Sequence, residues 1–134
     1  MARLASIEKA GFFACPTNVV QALVLRHIRL HPWAVAPTYI LDPCAGEGSA
    51  VHIFAQTLAS LPTSTMAAHY ADMAEQCQRR IHVRAVEIDA ERAAAAKVLL
   101  GEQNVMHAAI ESVSAVGQFG IVWLNPPYDQ VSGG

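Results

Sequence analysis

The chain has 134 residues, with 53% hydrophobic residues, 15% charged residues and a formal net charge of -2. That length holds one domain. The charged share is low against the usual quarter or so, which excludes a disordered chain. The slightly acidic balance argues against a basic nucleic-acid module. So much apolar sequence is unusual in a small domain, where surface is large for the volume. It points to a greasy surface or to contact with a partner.

No run of about 18 apolar residues occurs, so no membrane span is expected. The start, Met1 to Lys9, carries an early acid and no long apolar core, unlike a signal peptide. Cys15, Cys44 and Cys77 are widely spaced and form no CxxC pair. Neither a zinc ribbon nor a disulfide framework is indicated. Reduced thiols in a cytoplasmic protein are the simple expectation. His27 and His31 share a helical face, but two ligands do not make a metal site.

In chain order, Thr17 to Leu30 reads as a helix with Thr17 as its N-cap. Val20, Leu23, Val24, His27 and Ile28 fall on one face. Tyr39-Ile40-Leu41 is a short apolar run stopped by Asp42-Pro43, the pattern of a buried parallel strand. Cys44-Ala45-Gly46-Glu47-Gly48-Ser49 is a glycine-bearing turn. Val51, Phe54, Leu58 and Leu61 then recur at helical spacing until Pro62. Met66, Tyr70, Met73 and Cys77 predict an added helix over 66–80. Ile81 to Val86 alternates and ends at Glu87, a second strand. Asp89 caps an alanine-rich helix over 90–100, closed by Gly101. Residues 104–107 read as a third strand and residues 120–124 as a fourth. Strands alternating with helices predict an α/β, doubly wound parallel sheet of about four strands.

Three places carry chemistry. In the Asp42-Pro43-x-x-Gly46-x-Gly48 turn, glycines let a ligand approach the backbone. The helix start that follows offers N–H groups and a positive dipole end, suited to a nucleotide or an amino-acid carboxylate. The full GxGxxG spacing and the P-loop Lys-Ser/Thr are both absent, and a purely structural turn is the plainer alternative. Glu87, at the end of the second strand, is placed to accept from ribose hydroxyls. It lies farther past the glycines than the usual 20 residues or so, and the helix over 66–80 accounts for the excess. Asn125-Pro126-Pro127-Tyr128 follows the fourth strand. Two prolines fix its backbone. Such a turn can aim the Asn amide oxygen and a backbone carbonyl at a planar amine, with an aromatic nearby to stack on a ring.

Together these motifs resemble the S-adenosylmethionine-dependent amino-methyltransferases of the Rossmann-like class that carry Asn-Pro-Pro-Tyr. Phe12-Phe13-x-x-Pro16-Thr17 is similar to the N-terminal motif of adenine-N6-specific DNA methyltransferases. The resemblance covers nearly the whole chain and keeps the family's motif order. It implies that Phe13 and Thr17 wall the methionine end of the cofactor. Asp42, Pro43 and the backbone at Ala45, Gly46 and Gly48 would hold the amino and carboxylate groups. Glu87 would take the ribose hydroxyls, with Ile88 packed on the adenine. Asn125 and the Pro126 carbonyl would accept from the target amine, Pro127 would hold the turn, and Tyr128 would stack on a base taken out of the duplex.

The family usually has an acid just after the third strand; here Met106-His107-Ala108-Ala109-Ile110-Glu111 reaches its first acid late. The family's sheet also continues past its fourth strand. The expectation is therefore an incomplete Rossmann-like fold: residues 1–134 as one cofactor-binding part, without the C-terminal strands and target-recognition part. Its partners would be DNA, for the complete enzyme, and a second copy or a complementing chain along the sheet edge near 121–124. Two alternatives stand beside this reading. One is a non-catalytic assembly module; the other is a methyltransferase of protein glutamine or RNA guanine.

Overall fold

A computed structural model describes residues 14–28, 37–61, 81–114 and 117–126. Helix α1 spans Thr17–His27, strand β1 Thr38–Asp42 and helix α2 Ser49–Ala59. Strand β2 spans Ile81–Glu87, helix α3 Ala90–Leu100, strand β3 Val105–His107 and strand β4 Ile121–Val122. Short 3-10 turns occupy Glu102–Asn104 and Ile110–Ser112. The helix expected over 66–80 lies outside the described residues.

The four strands form one all-parallel sheet in the order β3-β2-β1-β4. Ile40 sits level with Val83 on one side and with Ile121 on the other. Alternation then puts Ile40, Ile81, Val83, Ala85, Val105 and Ile121 on one face. All three helices pack there. Val20 and Val24 of α1 and Val51, Phe54 and Leu58 of α2 close over Ile40, with Ile81, Val83, Ile121 and Trp123 at the margin. Ala45, Ala85, Ala96 and Val105 form a second small cluster under α3. The α2 register of Val51, Phe54, Leu58 and Leu61 is buried as its spacing predicts.

The opposite face carries Tyr39, Leu41, His82, Arg84 and Val86. Among the described residues no helix covers it. Val86 is buried, but Tyr39, Leu41, His82 and Arg84 are only half-buried. Tyr39 and His82, partners in register, stack at 5.0 Å. Arg84 donates from Nη1 to the Asn104 side chain at 2.5 Å and to the Val83 carbonyl at 3.0 Å.

Three boundaries moved. Pro16, not Thr17, is the N-cap of α1. Its carbonyl accepts from Val19 and Val20 while its ring holds an extended φ/ψ, so Thr17 is already helical and cannot cap. The helix stops at His27, because Ile28 is extended. Leu23 and His27 of the expected buried face are exposed. Finally, β4 is shorter than the expected 120–124. Gly120 donates to Tyr39 and Trp123 to Leu41, but β1 then reaches Pro43, which has no N–H to continue the ladder.

Candidate functional site

Strands β2, β1 and β4 are neighbours, and each ends in a residue singled out from sequence. Glu87 ends β2, Asp42 ends β1, and Asn125 follows β4. Leu41 is level with Val122, so Asn125 emerges just beyond the level of Asp42. Trp123 anchors this exit against Phe54 of α2, ring centroids 5.4 Å apart. Asn125 and Pro126 are half-buried. Pro127 and Tyr128 lie outside the described residues, as do Phe12 and Phe13. Thr17 is exposed at the start of α1.

The turn between β1 and α2 is tied to β2 from two sides. Ala45 N–H donates to the Val86 carbonyl at 2.9 Å. Gly46 N–H donates to Glu87 Oε2 at 2.7 Å, joining two motifs far apart in the chain. Gly48 N–H donates to the Ala45 carbonyl at 2.9 Å. All three of these amides are therefore used inside the fold. They shape the turn and tie it to β2. The first turn of α2 follows, with no capping side chain at Gly48.

Asp42 is 1% exposed. Its Oδ1 accepts from Cys44 N–H at 3.1 Å, a tight Asx-type bond that helps to start the turn. Burial pushes its carboxyl up to about 7, the Cys44 bond pulls the other way, and nearby Glu87 adds to the rise. The Cys44 thiol is also pushed up, by burial first and then by Asp42, Glu87 and Glu111.

Glu87 is 5% exposed. Its Oε1 accepts from Asp89 N–H at 2.9 Å and from Arg92 at Nη2, 3.0 Å, and at Nε, 3.3 Å. Asp89 in turn caps α3 by accepting from Arg92 N–H at 2.9 Å, which holds its own carboxyl below the usual range. Ile88 is 65% exposed, an apolar side chain left in solvent next to buried Glu87. Its carbonyl lies 3.0 Å from His107 Nε2.

Arg92 and His107 were not singled out from sequence. A signal for Arg92 existed: it stands third in the helix after the Asp89 cap, where a capping box carries Glu or Gln. After β3, Ala108 N–H donates to the Glu87 carbonyl at 3.0 Å. Glu111 sits on the following 3-10 turn, exposed, with its charge felt at Cys44. Among the described residues no cluster of three or more metal-ligating side chains forms, and no helix is long and apolar enough to cross a membrane. Compared with known proteins, the chain has no significant match to any family model, curated protein or solved structure.

Proposed function

We propose that this chain is the cofactor-binding and Asn-Pro-Pro-Tyr-bearing part of an S-adenosylmethionine-dependent methyltransferase. Its favoured target is the exocyclic N6 amine of adenine in DNA. The observation that carries this reading is the convergence of Asp42, Glu87 and Asn125 at the carboxyl ends of three adjacent parallel strands. Ligands of open α/β sheets bind at such strand ends.

The residues fit the chemistry of the group. S-adenosylmethionine presents an ammonium, a carboxylate, a ribose diol and an adenine. Asp42 is a buried acceptor for the ammonium. Glu87 is a buried acceptor for the diol, and exposed Ile88 is an apolar rest for the adenine. The uncapped first turn of α2 supplies donors and a positive dipole end for the carboxylate. When bound, the cofactor supplies a methyl group already activated on a sulfonium.

The chain's own task is to prepare the amine. An aromatic amine is a weak nucleophile because its lone pair is delocalised into the ring. The Asn125 side-chain oxygen and the Pro126 carbonyl accept its two hydrogens out of the ring plane. That draws the nitrogen towards tetrahedral geometry and localises the pair. What remains is alignment, an entropic and electrostatic contribution that needs no strong base.

Titration calorimetry with S-adenosylmethionine tests the binding half of the proposal. Asn125→Ala should leave that affinity within about threefold while abolishing tritiated methyl transfer, since its contacts are made to the target alone. DNA, RNA and protein substrates, assayed side by side, separate the adenine reading from the guanine and glutamine ones. Absence of cofactor binding by the wild-type chain would sink the proposal.

A second reading, a non-catalytic assembly module, rests on one specific observation. Strand β4 is an edge among the described residues, and Val122 on it and Leu124 just beyond it are 55% and 66% exposed. An uncharged edge of this kind is a pairing template.

A further inference from the structure

Arg92 belongs to none of the motifs, yet it grips Glu87, the acid that ends β2. Its guanidinium folds back from α3 onto Glu87, and both side chains are largely buried. Its backbone N–H is held by Asp89, so the residue is fixed at both ends. The result at Glu87 is asymmetric. Oε1 accepts three N–H donors, from Asp89 N and from Arg92 Nε and Nη2. Oε2 accepts one, from Gly46 N.

A carboxylate has about four lone-pair sites, two on each oxygen. Three donors exhaust Oε1, whereas Oε2 keeps one site. Capture of a vicinal diol by both oxygens needs both to face the ligand. Resting on the cofactor reading above, we propose that Arg92 is a positioning residue that turns Glu87 into a one-oxygen receptor. Oε2 takes a single ribose hydroxyl, and the neighbouring hydroxyl receives nothing from the acid. Arg92 thereby sets which part of a nucleoside the site reads.

Calorimetry tests this with S-adenosylhomocysteine and its 2′-deoxy and 3′-deoxy counterparts, on wild type, Arg92→Lys and Arg92→Met. For wild type, one deoxy compound should bind within about threefold of the parent and the other at least about tenfold more weakly, the usual scale for a hydrogen bond to a charged group. Arg92→Met keeps the apolar stem but removes the donors from Oε1. Its two deoxy penalties should become equal. Arg92→Lys keeps one donor and should retain the asymmetry, which a purely structural role would not predict. Equal penalties in the wild type overturn the proposal, and so does an unchanged asymmetry in Arg92→Met. The wild-type arm decides even where a variant fails to fold. No binding of the parent compound by wild type overturns the cofactor reading together with this inference. Parent binding without asymmetry overturns the inference alone.

Discussion

Asp42 opposes folding near neutral pH, and that opposition has a definite sign. Its carboxyl is raised from 3.8 to about 7 in the folded chain, chiefly by burial. Between those values the unfolded chain gives up the proton and the folded chain keeps it. This group's contribution is therefore fully favourable below 3.8 and is lost as the pH rises through about 7. Asp42→Asn keeps an acceptor for Cys44 N–H and removes the titration. Its melting temperature should match wild type near pH 4 and exceed it by at least about 4 °C at pH 8, read by calorimetry across that range. A constant difference at every pH would refute the argument. Asp42 and Glu87 were legible in the sequence, because each closes an apolar strand run. The bond from Gly46 to Glu87 was not, since nothing local to either residue specifies a contact across 41 positions.

At the scale of elements, the turn and the helices were legible where a local rule governs them. Asp89 caps α3 and Gly101 closes it, both as read. Gly48 shows how far such rules reach. Its φ of +84° is left-handed, which the turn motif suggests. Its second constraint is tertiary: a Cβ there would lie 2.9 Å from Leu100 Cδ1 at the end of α3. Gly48→Ala should destabilise the fold by about 1–3 kcal/mol, from left-handed strain and this crowding together. Adding Leu100→Ala should restore only the crowding part, so a double-mutant cycle by chemical denaturation measures each. The N-cap of α1 was misread for an equally local reason. Threonine is the better cap by preference, but Pro16 already holds the extended backbone that a cap requires.

At the scale of the molecule, the exposed large apolar side chains among the described residues lie on helices and sheet alike, with Val98 of α3 the most exposed at 90%. Among the described residues, three helices cover one face of the sheet, while Val122 on the β4 edge, Leu124 just beyond it and Met106 on β3 stand exposed. The assembly reading accordingly predicts self-association of the wild-type chain in light scattering at micromolar concentrations. Val122→Lys with Leu124→Lys should shift it to monomer, because charge on an edge strand opposes pairing. A wild-type mass that stays monomeric across a broad concentration range removes that reading and leaves the cofactor reading untouched.

The sequence by itself determined the alternation of strands and helices, the parallel α/β class and the strand-end positions of Asp42, Glu87 and Asn125. Each depends on period, turn chemistry or a break, which are properties of neighbouring residues. Only the tertiary structure decided that the amides of Ala45, Gly46 and Gly48 are spent inside the fold. It alone brought Arg92 onto Glu87 and stacked Tyr39 on His82 across neighbouring strands. These facts depend on which groups meet across the sheet, and a buried donor or acceptor takes whatever partner the packing brings to it.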